Sequence, residues 1–267
     1  MNPWNLPYHS QRPIVMAANV VSTSQPLASQ AGVRMLMDGG NAVDGALAAA
    51  IALTVLEPTG NGIGSDAFAM VWDTRQLFGI NGSGKSPASW SRERFAHLDE
   101  MPRSGWDSVT VPGAVSVWVE LSRRYGRLPF QQLFEPAIEY ANEGYPVSPI
   151  IAKKWKKAAD NCRDFDEFGK VFLPAGKAPG PGSMFYFRDA AMTLEEIGRT
   201  GGESFYRGDL AREIASCSEK LGGGMTYDDL ASHQPLLVNP ISQRYRSLEL
   251  FELPPNGQGI AALIALG

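Results

Sequence analysis

The sequence predicts an α+β fold with helices layered on an antiparallel sheet. Three observations lead there. The first half is ordered strand, helix, helix, hairpin. That hairpin, residues 67–72 with 76–81, is the one clear strand pair in the half, and most of the chain beyond it has helical spacing. Repeated βαβ units would instead alternate apolar strands with crossover helices.

Residues 14–20 are short, apolar and follow Pro13, which predicts a buried strand. Pro26 opens a helix with Ala28, Ala31, Met35 and Leu36 on one face. Gly39-Gly40 stops it, because glycine accepts the left-handed turn at a helix end. Asn41 caps the next helix, residues 42–56. It is apolar nearly all round, and its alanines (46, 48, 49, 50 and 52) allow close packing between layers. Pro58 ends it. A glycine loop, 59–64, leads into the hairpin, which turns at Asp73-Thr74-Arg75. Pro112 stands where a first helical turn accepts proline and Gly126 where that helix stops; residues 136–143 with Gly144 repeat the pattern. Residues 163–182 are charged and then rich in Gly and Pro, as in an exposed excursion. Leu210, Ile214, Cys217 and Leu221 form a helical stripe ended by Gly222-Gly223-Gly224, and Thr226-Tyr227-Asp228-Asp229 resembles a capping box. Residues 248–253 read as a strand, 254–259 as a turn, and 260–266 as the start of an apolar helix. A helix this short needs partners, so the chain reads as a fragment of a longer gene product. No repeat or linker divides it, and a single domain over residues 1–267 is expected.

Composition narrows the function. With 24 basic against 28 acidic residues the formal charge is -4, which gives no pull toward nucleic acid. The most apolar stretch, 42–56, carries Asp44 and Thr54 and falls short of about 18 apolar residues, so no membrane span is expected. The start, through His9, lacks the basic head and apolar run of a signal peptide. A cytoplasmic protein with two free thiols, Cys162 and Cys217, is the expectation.

The motifs taken singly are weak. Gly79-Ile80-Asn81-Gly82-Ser83-Gly84-Lys85-Ser86 matches a phosphate-loop pattern and raises a nucleotide-binding alternative. However, Pro87 deletes the amide after Ser86, and the strand before it belongs to a hairpin. Gly60-Asn61-Gly62-Ile63-Gly64 follows a helix and precedes a strand, the reverse of a dinucleotide site. His9, His97 and His233 are scattered, with no metal-like spacing. Glu57 and Asp66, beside the glycine loop, read as structural. No G-x-S-x-G or H-E-x-x-H is present.

The segments taken in order say more. Ser24-Gln25-Pro26-Leu27-Ala28-Ser29-Gln30-Ala31-Gly32, Gly39-Gly40-Asn41-Ala42-Val43-Asp44, Glu57-Pro58 and Gly62-Ile63-Gly64 resemble the start of the gamma-glutamyltransferase family. The likeness continues through Val111-Pro112-Gly113, Glu135-Pro136-Ala137, Phe205-Tyr206-Arg207-Gly208, Gly224-Met225-Thr226-Tyr227-Asp228-Asp229-Leu230 and Pro254-Pro255-Asn256-Gly257. The resemblance implies an N-terminal-nucleophile hydrolase of αββα layers, incomplete in this chain. It also implies a proenzyme that cuts itself before a threonine. That threonine attacks an amide carbonyl with its own α-amine as base, without cofactor or metal. The threonine belongs to the family's carboxy-terminal part, so no catalytic residue is expected in this chain, whose partner is the small-subunit half of the same proenzyme. The transferases proper carry Arg-Glu where this chain has Ser83 and Gly84, and the arginine holds the glutamyl α-carboxylate. Serine offers no such fork. The form here resembles a divergent branch that includes oxamate amidohydrolase, a purine-degradation enzyme. The substrate-binding residues expected are Ser83, Gly84 and Lys85. Lys85 is the only cation in the turn and Ser83 can donate one hydrogen bond. Glutathione hydrolysis or gamma-glutamyl transfer is the alternative.

Overall fold

A computed structural model of the chain describes residues 15–162 and 165–267. In chain order its helices are α1 Pro26–Met37, α2 Ala42–Leu56, α3 Arg92–Phe95, α4 Ala114–Tyr125, α5 Glu135–Glu143, α6 Pro149–Asn161, α7 Asp166–Phe172, α8 Arg188–Thr200, α9 Glu203–Arg207, α10 Asp209–Lys220, α11 Tyr227–Ala231 and α12 Gly259–Leu266. The strands are β1 Ala67–Trp72, β2 Leu77–Gly82, β3 Tyr145–Pro146, β4 Met184–Phe185, β5 Leu236–Val238, β6 Ile241–Tyr245 and β7 Leu248–Glu252. The α+β expectation holds. The chain divides into two compact units, Met1–Gly62 with Gly126–Gly198 and Ile63–Tyr125 with Arg199–Gly267.

The first unit is built on α1 and α2. Ala28, Ala31 and Met35 are buried as the spacing predicts, and Gly39 takes the left-handed turn at φ 91°. Asn41 caps α2 by accepting from the Val43 and Asp44 N–H groups, and Asp44 accepts back from the Asn41 N–H at 2.8 Å. The same buried carboxylate accepts from the Arg127 N–H at 3.1 Å and the Leu128 N–H at 3.4 Å, so it serves both the helix start and a distant loop. Tyr145 closes the other end, donating to the Val55 carbonyl at 2.7 Å.

One expectation in this unit is corrected. Residues 15–20 form no strand, and Val15, Met16 and Val20 are exposed; Ile14 lies outside the described residues. An apolar run becomes a strand only with a ladder partner, and no described strand pairs with it. The 163–182 excursion, of which 163 and 164 lie outside the described residues, is mostly exposed as expected and contains α7. Phe172 at its end meets Trp155 edge to face and its carbonyl accepts the indole N–H at 2.8 Å, so the segment is anchored by aromatic packing.

The second unit holds the sheet, in the order β1-β2-β5, antiparallel throughout. The hairpin turns where predicted: Asp73 Oδ1 accepts from the Arg75 and Gln76 N–H groups, both at 2.9 Å. Helices α10 and α11 share a core of Val111, Ala211, Met225 and Leu230. The capping box at Thr226 and Asp229 is present. The stripe on α10 holds in part: Ile214 packs against that core, but the inward face is rotated from the expected one. Ala211 and Ser218 are buried, whereas Cys217 and Leu221 are exposed. Close helix packing selected the small side chains for the inside. β6 and β7 form a second hairpin with α12, on which only Leu263 is buried. Among the described residues, no helix is long and apolar enough to cross a membrane.

Candidate functional site

The predicted site residues stand at the open end of the β1–β2 hairpin. Ala67 pairs with Gly82, so Asp66 and Ser83 are the first residues past the ladder on each strand. From there the chain runs backbone to backbone against residues 111–113. A Cβ on Gly84 would overlap the Val111 carbonyl, and one on Gly113 would overlap the Gly82 carbonyl. The Val111 N–H donates to the Lys85 carbonyl at 3.0 Å. Only glycine permits such an approach. The glutamate that the resemblance puts at position 84 in transferases proper has no room here.

Each residue of the turn has a defined place. The Ser83 N–H donates to Asn81 Oδ1 at 2.8 Å, and the Ser83 hydroxyl lies 2.7 Å from that oxygen and 3.1 Å from Asn256 Oδ1. Both are acceptors, so the single hydroxyl proton is engaged within the protein. Asn81, itself buried, donates from Nδ2 to Asn256 Oδ1 at 3.0 Å. The Gly84 N–H donates to the Asp66 carboxylate; burial pushes that carboxyl up and the Gly84 hydrogen bond partly opposes the shift. The Lys85 side chain is exposed. Burial, and second to it the Lys85 charge, holds the His233 imidazole below its ordinary value.

His233 makes structural contacts. Its ring stacks on Tyr206 at 5.2 Å and its Nε2 lies 3.0 Å from the Ser116 hydroxyl. That hydroxyl donates to the Gly113 carbonyl at 2.7 Å, so Nε2 carries the imidazole proton and donates to it. The Tyr206 hydroxyl donates to the Pro112 carbonyl at 2.8 Å, accepts from the Ser116 N–H at 3.1 Å, and is pushed by burial up to about 12. The network pins residues 112–116, on which the Gly84 turn rests. A cleft of about 510 Å³ opens beside it, lined by Ser116, Tyr206 and His233 among others, but not by the 83–85 turn. Its charges are paired with each other, Arg123 and Arg124 with Glu120 and Arg207 with Glu203.

The rival motifs lose their footing. Gly79–Gly82 of the phosphate-loop pattern lies inside β2, paired to β1 on one side and in part to β5 on the other, and no helix comes after it at 87–90. Its amides serve the sheet. The Gly60 loop closes α2, with Gly60 and Asn61 N–H groups donating to the Glu57 carbonyl. Glu57 caps that helix and accepts from Asn61 Nδ2 at 3.3 Å. His97 is exposed, and His9 lies outside the described residues. Sequence reasoning missed Asn81 and Asn256. Asn81 is two residues before Ser83, a spacing at which an asparagine side chain accepts a backbone N–H. Asn256 arrives from 173 residues beyond Ser83 and left no local signal.

This fold is that of solved acylases of the N-terminal-nucleophile hydrolase class. The structure of a cephalosporin acylase from Bacillus halodurans superposes with a TM-score of 0.95 at 48% identity, over 99% of this chain and 51% of that one. Residues 28–267 match the gamma-glutamyltranspeptidase family model. The chain belongs to the gamma-glutamyltranspeptidase family. A glutathione hydrolase-like YwrD proenzyme of Bacillus subtilis is 36% identical over 256 residues, which cover 95% of this chain and 49% of the relative. An oxamate amidohydrolase proenzyme of Klebsiella pneumoniae is 35% identical over 248 residues, covering 90% and 47%. The chain therefore spans about half the length of these relatives.

Proposed function

We propose that the complete protein is an amidohydrolase cleaving a small carboxylate amide such as oxamate, and that this chain is its large-subunit portion. The nucleophile is a threonine outside this chain, released by self-cleavage of a proenzyme. Its hydroxyl adds to the amide carbonyl, ammonia leaves, and water hydrolyses the acyl-threonine ester to a dicarboxylate. For oxamate this yields oxalate, in keeping with a place in purine degradation. The cytoplasm, where Cys162 and Cys217 stay reduced, suits the two free thiols.

One observation carries the substrate reading. The turn at Ser83, Gly84 and Lys85 holds no guanidinium fork, and the Gly84 slot against Val111 leaves no space for a larger side chain. What remains is a small neutral cradle, Asn81, Ser83 and Asn256, with one exposed ammonium on Lys85. A two-carbon acid fits it better than a glutamyl group that needs a bidentate partner. The second reading, glutathione hydrolysis, is supported by the relative named glutathione hydrolase-like. The phosphate-loop alternative has no support in the geometry.

A small-subunit partner is supported by unpartnered apolar surface. Phe68, Met70 and Trp72 alternate along β1 at 46%, 44% and 61% exposure, and Ile264 on α12 is 72% exposed. Soluble proteins rarely leave a row of large apolar side chains such as that on β1 bare.

The test has two arms. This chain alone is expected to hydrolyse neither oxamate nor a gamma-glutamyl anilide. The complete processed protein is expected to show a higher kcat/KM for oxamate. Lys85→Met should lower it about fivefold, the scale of a solvent-screened charge contact of ~1 kcal/mol. A preference for the anilide would put the second reading first.

A further inference from the structure

The amide clamp at the hairpin end has only one consistent orientation. The Ser83 backbone N–H can only donate, so the Asn81 atom 2.8 Å from it is the carbonyl oxygen. The other end of that amide is then the N–H2, and it faces Asn256 at 3.0 Å. The Asn256 atom receiving it is therefore Oδ1, and the Ser83 hydroxyl at 3.1 Å is compatible with the same oxygen. Asn256 Nδ2 is thus turned away from the clamp on an exposed residue, with no partner among the described residues.

The donors at this end of the sheet can be followed one by one. The Ser83 N–H and hydroxyl are engaged by the clamp, and the Gly84 N–H by Asp66. Among the side chains of Asn81, Ser83, Lys85 and Asn256, two keep donors outside the clamp: the Asn256 N–H2 and the Lys85 ammonium, the latter exposed and in no ion pair among the described residues. A carboxylate is acceptor-only and takes N–H donors on both oxygens. An arginine would bring fork and charge together; here a neutral carboxamide brings the directed donors and Lys85 brings the charge.

We infer that Asn256 is a specificity-determining residue of the acyl pocket, binding the substrate carboxylate through its side-chain N–H2. This rests on the reading that the 83–85 turn faces the acyl group of an acidic amide. The clamp itself is the positioning device: Asn81 and Ser83 hold Oδ1 and so aim Nδ2.

The test is Asn256→Asp in the complete processed protein. That variant keeps an acceptor toward Asn81 and Ser83 and replaces only the outward N–H2 by an anionic oxygen. Oxamate is compared with oxamide, its neutral isostere. The kcat/KM for oxamate should fall about tenfold or more, carried by KM, while oxamide stays within about twofold and self-cleavage proceeds normally on a gel. Oxamate turnover within about twofold of the parent, or an equal loss for oxamide, overturns the assignment. If Asn256→Asp fails to mature, Asn256→Ser is measured in its place. It should show the same selective loss, and its absence overturns the assignment equally. A parent enzyme that prefers oxamide or a gamma-glutamyl amide to oxamate overturns the substrate reading itself, whereas a parent that prefers oxamate with an indifferent Asn256→Asp overturns only the role of Asn256.

Discussion

Gly84 and His233 show how single residues hold the turn. Gly84 is fixed by contact with a backbone atom, which cannot rotate away as a side chain can. Gly84→Ala should therefore cost about 1–3 kcal/mol or more, read as a lower denaturation midpoint of the complete protein. A neutral result would mean that residues 111–113 can shift. His233 yields a pH prediction. An imidazole held below its ordinary value is neutral when folded and more easily protonated when unfolded. Its contribution is full above about pH 6.5 and is lost as pH falls through the depressed folded value. Stability should decline on acidification through that window more steeply in the parent than in His233→Gln. Because the Lys85 charge is the second cause of the shift, Lys85→Met should move the His233 midpoint upward in an NMR titration. An unmoved midpoint would show that Lys85 does not face His233.

At the scale of elements, α2 depends on one carboxylate. Asp44 completes the capping box and also holds the Arg127 and Leu128 N–H groups in a buried place. Asp44→Ala removes the cap, worth about 1 kcal/mol, and leaves the part-buried Arg127 and Leu128 donors without that carboxylate at about 1–3 kcal/mol. A combined loss of about 2–4 kcal/mol in chemical denaturation is expected. A loss below about 1 kcal/mol would mean that water replaces the carboxylate. The helix was legible from Asn41 to Leu56 because caps and stops are local. The second role of Asp44 was not, since its partners lie 83 and 84 residues away. The same division explains α10. Helical spacing located the helix, but which stripe faces inward was settled by the neighbours α9 and α11.

Over the whole molecule, the bare face of the sheet is the dominant feature. Phe68, Met70 and Trp72 point from β1 to solvent, and β1 and β5 are the edges of a three-stranded sheet among the described residues. Met70→Glu with Trp72→Glu, in a chain co-expressed with the rest of the proenzyme, should lower the yield of assembled complex several-fold. Buried charges without partners oppose association. An unchanged yield would show that the partner docks elsewhere.

By itself, the sequence determined what depends on neighbours a few residues apart. It set the capped helices, the Asp73 turn, the Thr226 capping box and, through the order of its motifs, the family. The tertiary structure decided what depends on residues far apart in the chain. Residues 15–20 have the composition of a strand but no ladder, because a strand exists only in its pairing. Asn256 joins Asn81 and Ser83 because β2 and the turn after β7 meet in space, and the tight fit at Gly84 exists because residues 111–113 cross it. Hydrogen bonds of this kind connect side chains whose separation along the chain carries no period and no propensity, so only the folded chain brings them together.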